Sequence, residues 1–159
     1  TLNDLPINIK FIFVDCEEEG LFGSHAYFVK HLEELNHPIY KNYIKIVSLD
    51  GTGGKPKIGV FSKYGMPRVV NSAKSLKNEF KQIGKELLNF NLTSIWSPYA
   101  SSDHAVFGEY GIKSIQLFSF GMMSNTKYDK FEFVNKETLL MSLKIMTFFI
   151  FKNIIQNLN

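Results

Sequence analysis

Cysteine occurs once in the 159 residues, at Cys16, which excludes an intrachain disulfide and any zinc site built on a Cys-x-x-Cys pair. Arginine is almost absent too: Arg68 stands alone among 18 basic residues, set against 15 acidic ones. The lysines read as scattered, so the net charge of +3 does not point to nucleic acid as a partner. The most apolar run near the end, Ile145 to Phe151, is enclosed by Lys144 and Lys152. It falls far short of the roughly 20 apolar residues that span a bilayer, so a buried helix is expected and no transmembrane segment. No internal repeat, low-complexity tract or linker interrupts the chain. No targeting segment is read at the start of the chain, and its opening at Thr1 without Met points to a processed, excised or partial chain. Compartment is left open.

What remains is ordinary globular composition, 45% hydrophobic and 21% charged, long enough for one domain with its own core. Ile7 to Val14 is apolar and β-branched enough for a buried strand, ended by Gly20 and Gly23. Ser24 is placed to cap a helix running to Leu35, which His37-Pro38 stops. Further strands are expected at Tyr43–Leu49, Lys57–Phe61, Thr93–Trp96 and Ile112–Phe118. Helices are expected at Pro67–Leu88 and Asp103–Tyr110, with a last one from Asn135 to Gln156. This alternation predicts an α/β fold, a mostly parallel sheet flanked by helices on both faces.

In such sheets ligands gather beyond the carboxyl ends of the strands. Asp15 to Glu19 follows the first apolar run, Asp50 ends the second, and Tyr99, Ser102, Asp103 and His104 precede the strand from Ile112. The loop from Gly121 to Asp129 follows that strand. Convergence of these acids and a histidine on one rim would suit metal-assisted hydrolysis, with carboxylates for the cation and another carboxylate for a proton. A solvated acidic loop, an Asp-Gly turn at Asp50 and a local Asp–His pair are the structural alternatives. His25, His31 and His37 do not share a helix face and are given no metal role.

The run from Phe11 to Ser24, with Glu17-Glu18-Glu19-Gly20-Leu21-Phe22-Gly23-Ser24 at its end, resembles the Glu-Glu-x-Gly-Leu-x-Gly-Ser segment of the M28 family of zinc aminopeptidases. Val47-Ser48-Leu49-Asp50 is similar to the family's next metal-ligand strand. Ser102-Asp103-His104-Ala105-Val106-Phe107, with Gly111-Ile112 behind it, resembles its Ser-Asp-His-x-x-Phe segment. The four matches, the closing helix included, keep family order over nearly the whole chain. The resemblance implies a zinc-exopeptidase α/β fold, a peptide substrate and one or two zinc ions in the complete domain. It implies Glu17 as general acid/base, Glu18 and Asp50 as zinc ligands, and Tyr99 as an aid in polarising the scissile carbonyl. Asp103 and His104 would line the site, and Glu19 falls on a variable position.

Two departures qualify the resemblance. The family's early His-x-Asp segment and bridging Asp-Asn have no counterpart, so residues 1–159 are expected to be the C-terminal portion of a single domain. Asn125, in Asn125-Thr126-Lys127-Tyr128-Asp129, stands at the position of the family's last His ligand. An amide oxygen is a weaker zinc ligand than imidazole, and two carboxylates alone are fewer than the three protein ligands usual for catalytic zinc. The expectation is therefore a metal-dependent aminopeptidase, inactive as this chain alone, or a non-catalytic module on the same fold. An exposed sheet edge is expected, covered by the remainder of the domain or by a partner chain.

Overall fold

The computed structural model describes residues 6–55, 57–65, 69–97, 101–119, 121, 126–127 and 130–158. In chain order the elements are α1 (Phe22–Lys30), α2 (Leu32–Leu35), β1 (Lys45–Leu49), β2 (Ile58–Tyr64), β3 (Val70–Asn71), α3 (Lys74–Leu88), β4 (Thr93–Ser97), α4 (His104–Glu109), β5 (Lys113–Ser119), a 3-10 turn (Phe131–Phe133) and α5 (Lys136–Gln156). β1 pairs with β5 in parallel, and β5 pairs with β2 antiparallel. β2 pairs with β4 in parallel and with the short β3 antiparallel. The α/β layering is as expected, on a sheet of mixed direction.

Alternation along the strands divides the core into two layers. Ile58 and Val60 of β2 and Ile115 and Leu117 of β5 face one side, where Leu76, Phe80 and Ile83 of α3 meet Ile145 and Phe149 of α5. The three α3 residues recur at helical spacing, and Phe80 stacks on Phe149 with ring centroids 4.8 Å apart. On the other side Phe28, Leu35, Val106, Phe107 and Ile112 gather beneath α1 and α4, with Ile44 and Ile46 against them. Helices thus cover both faces. Where β2 meets β4, the register slips between Phe61 and Lys63. The extra residue puts Phe61 and Tyr64, three positions apart, on one face, both against His104.

Three local expectations are corrected. Ile7 to Val14 forms no strand: it makes no ladder among the described residues, and Phe11 and Phe13 are 78% and 96% exposed. A strand needs a hydrogen-bonding neighbour, and β1, which among the described residues pairs only with β5, does not supply one here. Ser24 lies inside α1, fully buried, its hydroxyl donating to the Leu21 carbonyl at 2.9 Å. The helix instead starts from Leu21 in the left-handed conformation, and it breaks from α2 at His31. Finally α3 begins at Lys74, not Pro67, which lies outside the described residues. Before it, the Ser72 N–H donates to Ser62 and the Ala73 N–H to Ser114, bonds that hold 70–73 extended against the sheet.

Asn135 caps α5 as expected, its side chain accepting from the Thr138 N–H at 3.0 Å. The helix runs 21 residues at mean hydropathy 1.6, long and apolar enough by length and composition to cross a membrane, which the short apolar run did not suggest. One stripe of it, Thr138, Ser142, Ile145, Phe149 and Asn153, is buried in the protein. Asn153 also joins a polar clasp: Lys45 donates to Glu79 at 2.9 Å and to Asn153 at 2.6 Å, and the Asn153 amide donates to Glu79 at 2.9 Å. β1, α3 and α5 are tied together through it.

Candidate active site

The loop from Asp15 to Gly23 is folded tightly on itself. The Leu21 N–H donates to the Glu17 carbonyl at 3.0 Å, the Phe22 N–H to Cys16 at 3.2 Å and the Gly23 N–H to Asp15 at 3.2 Å. Cys16 and Leu21 hold positive φ, at 52° and 63°, a conformation that L side chains adopt at a cost. Gly23 is required by close approach: a Cβ there would lie 2.4 Å from the Asp15 carbonyl oxygen and 2.7 Å from its nitrogen. This geometry separates the three glutamates. Glu17 is half-buried, while Glu18 and Glu19 are exposed.

Asp50 follows β1 directly. Its N–H donates to the Leu117 carbonyl at 3.4 Å, and the buried Gln116 amide donates to its Oδ2 at 3.3 Å. Asp103 comes from a third segment. The Ser102 and Ser48 hydroxyls are 2.9 Å apart, which holds the start of α4 beside β1. β4 ends at the opposite rim, because β2 and β4 run against β5, so the strand-end rule alone does not account for Asp103.

Glu17 registers the convergence. Its carboxyl is pushed up to about 7, first by burial and then by the charges of Asp50, Glu18 and Asp103. Four acids from three separate segments therefore share one field, with Glu17 poised to hold or release a proton near neutral pH. The sign of the linkage follows. Between the unfolded value near 4.5 and about 7 the folded chain binds the Glu17 proton more tightly, so without a cation stability falls as pH rises through that window. Urea midpoints at pH 5 and pH 8 are expected to show this decline, and Glu17→Gln is expected to remove its share; an unchanged slope in the variant would count against the burial of Glu17.

His104 opens α4, directly after Asp103. It is fully buried, its ring 4.5 Å from Tyr64 edge-on and 6.4 Å from Phe61, and burial drives it down to about 3, so it is neutral. Neither ring nitrogen has a hydrogen-bond partner among the described residues. Tyr99 and Asn125 lie outside the described residues. Gln116 was missed by sequence reasoning, although an amide inside the apolar run from Ile112 to Phe118 is itself a signal.

Carboxylates are suitable donors for a divalent cation, and the mutual repulsion around Glu17 is what a cation would relieve. Yet among the described residues no three His, Cys, Asp or Glu side chains are grouped to hold a metal ion. Glu18 and Asp50 fall one donor short of a catalytic zinc set. By themselves these residues do not fit the zinc that the sequence resemblance implied.

The peptidase family M28 pattern matches residues 2–150. The chain belongs to peptidase family M28. Solved structures agree on the fold of this M28 chain. LapB from Legionella pneumophila superposes with TM-score 0.74 at 20% identity, covering 91% of this chain and 39% of its own. LapA, an aminopeptidase of the same organism, gives 0.69 at 24%, covering 86% and 36%. BSAP, a zinc aminopeptidase from Bacillus subtilis, gives 0.69 at 24%, covering 96% and 38%. The M28 chain thus spans less than two fifths of the length of these neighbours. No curated protein sequence matches it.

Proposed function

We propose that the protein is a metal-dependent exopeptidase that hydrolyses N-terminal peptide bonds, and that residues 1–159 are the C-terminal portion of its single catalytic domain. Glu17 takes the proton from the attacking water and returns it to the leaving amine. Glu18 and Asp50 are the carboxylate ligands this chain offers to zinc, and Asp103 holds negative charge against Glu17. Tyr99 is assigned to the scissile carbonyl, Asn125 to the position of the family's His ligand, and His104 to the wall behind Asp103. The observation that supports this reading is Glu17 itself, half-buried and raised to about 7 among acids delivered by three segments. An inert acidic loop would leave its carboxylates apart and in water.

The 159 residues alone are proposed not to turn over, because the described residues supply fewer donors than a catalytic zinc needs. The rest of the domain, or a partner chain, would complete the donor set and cover the edge of β1 that has no partner among the described residues and the exposed apolar segment from Ile7 to Val14. The same shortage of donors favours a second reading, a non-catalytic M28 module serving as an interaction or structural unit. Metal analysis of the full-length protein separates the two. Stoichiometric zinc, lost in Asp50→Ala, is the outcome expected of the enzyme; a protein that stays metal-free in added zinc would leave only the module. Assay of the 159 residues on aminoacyl-anilides with added zinc is expected to show no turnover.

A further inference from the structure

α5 is apolar on the side that faces away from the protein as well as on the side that faces in. Opposite its buried stripe stand Leu140, Leu143, Thr147 and Phe151, spaced three, four and four residues apart and all exposed, Leu143 by 63% and Phe151 by 58%. A helix apolar all round is normally covered all round. The buried stripe, pinned to α3 and the sheet through Ile145, Phe149 and Asn153, keeps this helix within the layer and leaves only its outer face for an occupant.

Among the described residues, the charge left without an ion-pair partner beside that face is mostly positive. α3 packs in the same layer, and its exposed Lys74, Lys81 and Lys85 line up on the outward side at spacings of seven and four. Lys136 and Lys144 are exposed on α5. None of these five lysines has an ion-pair partner among the described residues, whereas both glutamates of α3 are engaged, Glu79 with Lys45 and Glu86 with Lys152. Glu137 is the one glutamate of the two helices left without such a partner among the described residues, and it sits in the first turn of α5. An apolar stripe flanked by unpaired lysines complements a surface that is both oily and negative.

We propose that the outer face of α3 and α5 is a docking surface for an anionic lipid bilayer. Leu140, Leu143 and Phe151 enter the headgroup boundary, with α5 lying in the plane of the interface. The lysine chains lay their methylenes along the apolar surface and turn their ammonium groups to the lipid phosphates and carboxylates. The site is independent of the acid cluster and of the peptidase reading.

Flotation of the protein with vesicles of phosphatidylcholine alone, or with added phosphatidylserine, tests it. Binding is expected to rise with the phosphatidylserine fraction and to fall with salt. Each lysine near the surface contributes a factor of about five, so Lys81→Ala with Lys85→Ala is expected to weaken binding about 25-fold. Leu143→Asn with Phe151→Asn is expected to remove it while the far-ultraviolet circular dichroism stays unchanged. Equal binding to neutral vesicles, or none to either, would overturn the proposal. So would self-association of the protein that Phe151→Asn abolishes in the absence of vesicle binding, since a second copy of the chain would then be the occupant. The vesicle and salt comparisons need no variant and stand even if a substitution impairs folding.

Discussion

Glu17→Gln in the full-length protein is expected to lower hydrolysis of aminoacyl-anilides by about 10²- to 10⁴-fold, the range over which a positioned acid/base acts. The substitution keeps the shape of the side chain and removes its ability to accept a proton. It also removes one charge from a cluster in which Asp50, Glu18 and Asp103 all act on Glu17. Metal content should therefore be kept or rise while turnover falls, a pairing that loss of folding cannot produce. Preserved turnover in the variant would remove Glu17 from the chemistry. Loss of turnover together with loss of metal would make Glu17 a ligand instead.

Gly23→Ala is expected to cost about 100-fold in the same assay, the penalty typical of misplacing reacting groups by about 1 Å. The new methyl group would stand 2.4 Å from one backbone atom of Asp15 and 2.7 Å from another, so rearranging a side chain cannot relieve the contact. The 15–23 loop must move, and Glu17 and Glu18 move with it. Because the loop is largely exposed and meets the core only through Leu21, which packs against the second cluster, the urea midpoint should change little. An active variant would show that the loop's tight packing does not set the position of the two glutamates. A large fall in midpoint would place Gly23 in the fold rather than in the site.

Much of this could be read from residue order. β1, β4, β5 and α5 fall close to where β-branched runs, Gly turns and the Asn135 cap place them, because each signal is local. Other segments answer to distant partners. Ile7 to Val14 has strand composition, but strand pairing is a property of two segments, and its apolar side chains stand in the open. Residues 70–73 leave the expected helix because Ser62 and Ser114 capture their N–H groups. The lysines looked scattered because a stripe on a helix is visible only once the helix and its buried side are known.

Residue order alone carries the α/β layering, membership of family M28 through its three motifs, and the naming of Glu17, Glu18, Asp50 and Asp103 as candidate acids. Motifs record which residue types sit at which spacing, and that much is one-dimensional. That Glu17, Glu18, Asp50 and Asp103 share one electrostatic field, while His104 is buried beside Tyr64 and Phe61, follows from folding and not from residue order. Charges act through space, and the distances between segments 15–18, 50 and 103 are set by how β1 and α4 pack, with the Ser48–Ser102 contact holding them together. Likewise the apolar outer face of α5 and the lysines of α3 became one surface only when their other sides closed on a common core.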